Sequence, residues 1–364
     1  QFALGHAWLA QAHVSMWLAG YDLSQPAGMT RAQRFAMVDE AVNRALRIEP
    51  DLPEAHVARL WYLEVLGDRA GAAIERAIVI RSQPSDAPVA LANAFALLAE
   101  NRNEEAAAAL NRAALLDPRA APTLVRAAHG LWRLGRLEDA DRLYQRATVL
   151  APENPRPYTL LAWFHLLVGK RSQALDDVRR GATQAGLDNL LVDLTRSTDY
   201  IHLVRVFDQE YGDDFRRLAQ GAWGLDTVDY LWTKAMAHRA NPGIATVYWD
   251  SLGIWAAARA AIDRDETDLP VLRAMALAGA GQKAAALRVL RGLPSDLVRI
   301  GWSTAWLAAE AYALMGEYDA AIDQLEALRS VGFLLVASPG LLQTDPIWDP
   351  LRQHPRFKKL QERQ

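Results

Sequence analysis

A glycine-rich turn is the first place in this sequence where residue types and spacing could do chemistry. Gly279-Ala-Gly281-Gln-Lys-Ala284 matches the relaxed form of a dinucleotide-binding pattern. That pattern holds a phosphate only where a strand precedes it and a helix begins at it. Here the pattern falls on a turn between two predicted helices, so the sequence argues against a nucleotide site.

Three histidines and two acidic runs are the other candidates for chemistry. His6 and His13 are seven residues apart on one face of a predicted helix, and His56 is a third candidate ligand. A metal site also needs groups that fix its ligands, and the sequence secures none. Asp213-Asp214 and Asp263–Asp268 lie at predicted helix breaks, where capping and solvation account for them. With no nucleophile elbow around any serine, we expect no catalytic residue, no metal, no cofactor and no enzyme.

Composition restricts the classes of partner. The 364-residue chain carries a formal net charge of −3, so there is no electrostatic case for nucleic acid or an anionic membrane. The absence of cysteine excludes disulfides and thiolate zinc sites but does not choose between cytoplasm and periplasm. We expect a cytoplasmic protein, with the periplasm as the alternative, and no membrane span or signal peptide. Because Gln1 begins inside a helical pattern, we also expect the chain to be part of a longer protein.

Two markers recur every 34 residues, and they indicate what positions the candidate residues. Prolines stand at this interval from Pro50 to Pro152, and turn residues keep the same interval at Gly67, Asn101, Gly135 and Gly169. Within one interval, small and apolar residues recur at helical spacing before and after Gly135, and Pro152 closes the second helix. A helix–turn–helix unit of this length cannot bury its apolar face alone, so stacked neighbours are predicted.

These residues resemble the tetratricopeptide repeat. The fourth repeat (Ala121–Asn154) carries the small, turn and closing residues of that family at Ala128, Gly135, Ala140, Ala147 and Pro152. The third and fifth repeats follow it, and the second is looser. The resemblance implies an all-α tetratricopeptide-type helix–turn–helix solenoid, a right-handed superhelix, with a C-terminal helical cap.

The repeat spacing predicts four regions along the chain. We expect about five repeats over 1–186, an irregular helical segment over 187–265, two further repeats over 266–337 and a capping segment over 338–364. The connection Gly20–Thr30 is a tolerated insertion or a loop that closes over the groove. The aromatic residues of the irregular segment, Trp223 to Trp255, form either core or a small-molecule pocket. In the capping segment, Asp or His before proline predicts helix starts at Pro339, Pro346, Pro350 and Pro355.

In the tetratricopeptide family the first helix of each repeat lines a concave groove. Carried to this sequence, the resemblance implies groove residues at Trp61, Glu64, Phe95, His129, Trp132, Arg133, Arg156, Trp163, Trp306 and Glu310. Aromatic and arginine side chains of this kind dominate protein interfaces. The alternative is that these aromatics are core. The Lys and Asn with which chaperone-binding members clamp a terminal carboxylate are replaced here by residues such as Val57 and Trp61.

The tail adds a second resemblance. Asp345 to Phe357 is similar to the closing segment of bacterial tetratricopeptide regions that follow winged-helix, nucleotide cyclase or protein kinase domains. It implies a non-catalytic regulatory module of a bacterial signalling or transcription-regulatory protein. Its partner is then a protein segment, its own N-terminal effector domain or a second copy. A small-molecule sensor, or a substrate-presenting arm of an enzyme, are the alternative hypotheses.

Overall fold

The computed structural model describes residues 2–18, 29–82, 86–195, 201–218, 231–232, 234–236, 238–263, 267–330 and 338–362. Every regular element in these residues is helical. The helices are α1 Ala3–Leu18, α2 Arg31–Ile48, α3 Pro53–Leu66, α4 Arg69–Arg81, α5 Ala87–Ala99, α6 Asn103–Leu116, α7 Ala121–Arg133, α8 Leu137–Leu150, α9 Pro155–Leu167, α10 Arg171–Ala185, α11 Leu187–Thr195, α12 Ile201–Val206, α13 Asp208–Leu218, α14 Pro242–Ile262, α15 Asp268–Gly279, α16 Lys283–Arg291, α17 Leu297–Ile300, α18 Trp302–Leu314, α19 Tyr318–Ser330, α20 Pro339–Thr344, a 3₁₀ helix Pro346–Leu351, and α21 Pro355–Gln361. The predicted all-α fold is confirmed.

The described residues divide into two compact units, and the boundary along the chain lies within α9. Unit 1 ends at Leu160 and unit 2 begins at Leu161. Unit 1 consists of the helix hairpins α1/α2, α3/α4, α5/α6 and α7/α8. The first helices pack on one another in the order α1, α3, α5, α7, while α2, α4 and α6 each pack against the hairpin that follows. This is the predicted tetratricopeptide-type arrangement, in which each repeat buries the apolar face of its neighbour.

The turn inside each repeat is formed by a residue with left-handed backbone conformation. Gly67, Gly135 and Gly169 have φ between 73° and 80°, and Asn101 at 57° is the single non-glycine with positive φ among the described residues. After each of them an N–H donates to a carbonyl five residues back, as Arg136 does to Leu131 at 2.9 Å. This is the Schellman bond that ends a helix with a left-handed residue. The turn residues that recur every 34 residues are therefore confirmed as the points where the first helix of each repeat ends.

Close approach between repeats depends on small residues. Ala128, Ala140 and Ala147 are fully buried, as predicted. A Cβ added at Gly130 would lie 2.6 Å from a methyl carbon of Leu110, so α6 and α7 touch where a side chain is missing. At the start of α2, Thr30 caps the helix and exchanges hydrogen bonds with Gln33. Residues 20–28 of the predicted insertion lie outside the described residues.

Unit 2 keeps the repeat pattern at its C-terminal end. The hairpins α15/α16 and α18/α19 turn at Gly281 and Gly316, both left-handed, and α15 packs against α18. Before them α14 runs unbroken from a cap at Asn241 and packs on α15. The predicted break at Gly212-Asp213 is wrong, because α13 continues through both residues.

The glycine-rich pattern at 279–284 has a packing explanation. A Cβ at Gly279 would lie 2.3 Å from Cε2 of Trp249, so this glycine makes room for the indole on α14. Gly281 provides the left-handed turn, with φ at 76°. Trp249 and Trp232 are both buried core residues, as the core interpretation of this region predicts. Trp223 lies outside the described residues.

The capping segment forms short helices, as expected, but with one fewer start. Ser338 and Asp345 accept hydrogen bonds from Leu341 N and Ile347 N and begin α20 and the 3₁₀ helix. A start at Pro350 is wrong, because this proline lies inside the 3₁₀ helix. Among the helices described, none combines the length and the apolar character that crossing a membrane would require.

Candidate functional site

The solvent-accessible side of the α3/α5/α7 layer in unit 1 carries the best-supported candidate site. We call it the inner face and define it by Trp61, Phe95, Arg126, His129 and Arg133. Trp61, Phe95 and His129 occupy equivalent positions on α3, α5 and α7, and all three side chains are half-buried. All three are among the predicted groove residues.

The inner face is concave, because side chains two repeats apart meet across it. The guanidinium carbon of Arg126 on α7 lies 5.5 Å from the ring centroid of Trp61 on α3. Helix α5 lies between them in the layer. At this distance the cation is attracted by the indole ring, and its N–H groups remain available to a ligand.

Arg126, His129 and Arg133 form one stripe along α7, since residues three and seven apart share a helix face. Burial, together with the positive charges of Arg133 and Arg126, lowers the pKa of His129 to about 4. Desolvation also lowers the pKa of both arginines, although both side chains are exposed to solvent. Groups that reach solvent and are still desolvated lie in a concavity, which agrees with the contact between Arg126 and Trp61.

Arg126 was not among the predicted groove residues. The family pattern places groove residues at fixed positions, and Arg126 stands one residue after such a position. Its spacing from His129 and Arg133 is a sequence signal that would have found it.

The remaining predicted residues of unit 1 differ in accessibility. Trp132 is 9% exposed and packs edge-on against His129 at 5.6 Å, so it supports the inner face from below. Glu64 is exposed and accepts a hydrogen bond from Arg76 at 3.0 Å. Arg156 on α9 is half-buried. Whether any of them contacts a partner stays a prediction.

Three predicted groove residues are core residues of unit 2. Trp163 is 6% exposed, Trp306 is 4% exposed and Glu310 is fully buried. They do not line an open surface, so for unit 2 the core alternative is correct. The physical reason is that α12 and the capping segment cover the helices on which these residues lie.

A buried ionic cluster accounts for Glu310. Nη2 of Arg205 on α12 donates to Glu310 Oε1 at 2.6 Å and to Asp345 Oδ2 at 2.6 Å. His202 Nδ1 lies 2.7 Å from the same Asp345 oxygen. Burial alone would raise the pKa of Asp345, but the charge of Arg205 and the hydrogen bond from His202 hold it well below its usual range.

Aromatic rings enclose this cluster. The imidazole of His202 stacks on Trp163 at 5.5 Å and meets the edge of Trp306 at 5.1 Å. Trp306 in turn contacts Trp348 of the 3₁₀ helix at 5.3 Å. The low dielectric of this shell strengthens the ion pairs and makes any unpaired charge costly.

His202, Glu310 and Asp345 have the composition of a cation site, and their ligand atoms lie within 4.8 Å of one another. The guanidinium of Arg205 already lies among these atoms and pairs with both carboxylates. A metal ion would have to displace it, so the residues do not fit a metal site.

The candidate ligands at the N-terminal end also have other partners. His13 Nδ1 lies 2.7 Å from Arg34 Nη1, which donates to it, and His56 bridges Glu75 and the Pro50 carbonyl. These histidines belong to polar contacts inside unit 1.

Comparisons with known proteins give distant likenesses. No family model matches the chain, and no curated protein matches it. Among solved structures it is similar to the human IFIT1 dimer with m7Gppp-AAAA, at 12% identity and a TM-score of 0.42, covering 90% of this chain and 87% of that one. The structure of Naa15/Naa10 bound to HypK-THB is similar at 15% identity and a TM-score of 0.32, covering 98% of this chain and 54% of that one. The P58(IPK) TPR domain is similar at 12% identity and a TM-score of 0.21, covering 97% of this chain and 100% of that one.

Proposed function

We propose that unit 1 is a non-catalytic binding module whose inner face holds an extended segment of a protein chain. One observation carries the proposal: half-buried aromatic side chains at equivalent repeat positions lie on a concave surface together with an arginine held over an indole ring. Aromatic and arginine side chains are the usual anchors of an interface, and aromatic rings bury much area with few rotatable bonds.

The segment comes from a separate protein, from a domain that precedes this chain, or from a second copy. We propose further that the module is regulatory and belongs to a bacterial signalling or transcription-regulatory protein. The support for this context is the resemblance of Asp345 to Phe357 described above.

The proposal is tested by display selection with random dodecapeptides against the purified chain. We expect the wild type to enrich a peptide family that binds in solution. The double variant Trp61→Ala/Phe95→Ala is expected to lose these peptides, because both anchors are truncated.

The matched control is Ile74→Ala/Leu115→Ala, which truncates two exposed apolar residues on the second helices α4 and α6. It should retain the selected peptides. Circular dichroism checks that all variants remain folded. No enrichment by the wild type, or equal enrichment by the Trp61/Phe95 variant, would refute the proposed function.

A further inference from the structure

We infer that the segment held by the inner face is acidic, with carboxylate side chains that bind Arg126 and Arg133 next to apolar residues that pack on Trp61 and Phe95. This inference deepens the proposed function and rests on it. It names the chemistry of the partner rather than the partner.

The two guanidinium groups of the stripe lack anionic partners within the described residues. Each extends from α7 into solvent, and no carboxylate there forms an ion pair with either of them. Both act on the charge of His129, and they are about two helical turns apart on one face of α7. Two like charges held together repel, and an anion bound between them would relieve that repulsion.

Several acidic groups of the neighbouring helices are paired with other arginines. Glu64 on α3 and Glu100 after α5 both accept from Arg76 on α4, each at 3.0 Å. Glu104 pairs with Arg136, and Glu105 pairs with Arg102. These four carboxylates thus pair with other arginines, and Glu54 on α3 forms no ion pair with Arg126 or Arg133.

The environment makes an unpaired arginine costly here. A charge that is partly withdrawn from water loses solvation unless it gains a counter-ion. Arg126 and Arg133 are desolvated, whereas Arg102 and Arg217 lie in full solvent and are paired with carboxylates. Charge-assisted hydrogen bonds from a guanidinium to a carboxylate are strong and directional, so an acidic side chain would repay this cost.

The observations favour a peptide over a nucleic acid. Nucleic-acid binding requires a series of cations along the phosphate backbone, and the stripe offers two arginines in a chain whose net charge is negative. Trp61 and Phe95 beside the stripe provide apolar surface for side chains that flank an acidic residue. The two arginines of the stripe lie on one helix face, so the stripe can bind one or two carboxylates.

The test uses the composition of peptides selected by display, with the full chain as bait. The peptides are joined to their linker through the carboxyl end, so any carboxylate they offer is a side chain. We expect wild-type selection to enrich Asp and Glu adjacent to aromatic or aliphatic residues, above their frequency in the unselected library. We expect Arg126→Gln/Arg133→Gln to return the acidic residues to that frequency while apolar residues stay enriched.

The charge-matched control is Arg44→Gln/Arg69→Gln, which removes two exposed arginines from α2 and α4. It should leave the acidic enrichment intact. An acidic preference that survives in the Arg126/Arg133 variant, or disappears in the control, would overturn the inference.

Two further outcomes separate the inference from the proposed function. Enrichment of apolar peptides without acidic residues would leave the proposed function standing and refute the inference, whereas no enrichment at all would refute both. A fluorescently labelled single-stranded RNA oligonucleotide forms the last arm. Tighter binding of this RNA than of any selected peptide, lost in Arg126→Gln/Arg133→Gln, would show that the stripe is a phosphate site and would overturn the acidic peptide.

Discussion

Arg205 and Asp345 are 140 residues apart in sequence, and the guanidinium Nη2 of one donates to the carboxylate Oδ2 of the other at 2.6 Å in a fully buried site. This contact joins α12 to the start of the 3₁₀ helix. In a simple solenoid each repeat contacts only its neighbours. Unit 2 departs from that rule, because its capping segment reaches back to helices near its beginning.

A second contact in unit 2 also brings the capping segment against a helix near the beginning of the unit. A Cβ at Gly340 would lie 2.2 Å from the carbonyl oxygen of Leu166, so α20 packs directly on the backbone at the end of α9. The capping segment also packs where it was expected, since Arg356 of α21 donates to Asp323 and Glu326 of α19. The cap thus closes the last repeat and covers an earlier one.

Removing the buried cation should destabilise unit 2 strongly. Arg205→Met leaves Glu310 and Asp345 without a counter-ion, and breaking a buried pair typically costs about 3–5 kcal/mol. Urea unfolding followed by tryptophan fluorescence measures the loss. Arg217→Met is the control, because Arg217 pairs with Asp188 in solvent, where a pair contributes about 0–1 kcal/mol. Equal stability of the two variants would contradict a stabilising role for the buried cluster.

The Asp345 carboxylate should make the stability of unit 2 depend on pH in the acid range. Its pKa is lower in the folded chain than in the unfolded chain, where it is about 3.9. Its contribution is therefore fully present above the unfolded value and is lost as the pH falls toward the folded value. We expect the stability difference between wild type and Asp345→Asn to shrink on acidification below about pH 4. A difference that stays constant or grows would contradict the assignment.

Because Gly279 lies in close contact with Trp249, alanine substitutions at Gly279 and at Gly253 should change the stability in opposite directions. Gly279→Ala forces a methyl group into the indole and should cost about 1–3 kcal/mol, as overpacking does. Gly253→Ala, in the partner helix α14, meets Ala276 at an ordinary 3.5 Å and should gain up to about 1 kcal/mol from helix propensity. Thermal unfolding of both variants measures the contrast. Stabilisation by Gly279→Ala would show that the packing account is wrong.

The inner face should keep His129 neutral in mildly acidic solution. Its pKa of about 4 lies below the usual value of about 6.5, because burial and two neighbouring arginines disfavour the imidazolium. An NMR titration assigned with His129→Gln measures it. Arg126→Gln/Arg133→Gln should raise this pKa by removing the repulsion, and a bound acidic peptide should raise it in the wild type. A wild-type titration near about pH 6.5 would contradict a desolvated stripe.

The sequence predicted what depends on local rules. Turn residues from Gly67 to Gly316 set the helix ends, because a left-handed residue is needed wherever the second helix folds back. Small residues such as Ala128 and Ala147 predicted the buried faces for the same local reason. The break at Gly212 was wrong because helix packing overrides the low helix propensity of a single glycine.

The contacts between distant segments were missed, since no pattern reports them. Asp345 was read as a cap, and the structure gives it that role and a buried ion pair besides. Trp163, Trp306 and Glu310 fit the groove pattern of a first helix, but the capping segment of unit 2 covers them. For unit 1 the same pattern led to the inner face, although it omitted Arg126.

Photo-crosslinking at the inner face tests the central claim most directly. The photoreactive residue p-benzoylphenylalanine replaces Phe95 in one variant and the exposed Leu115 of α6 in the other, and each folded chain is irradiated with a biotinylated random peptide pool. The account predicts that Phe95 captures peptides, that Leu115 captures far fewer, and that Trp61→Ala lowers the yield at position 95. Equal capture at both positions, or none at position 95, would contradict the claim that this face binds a protein segment.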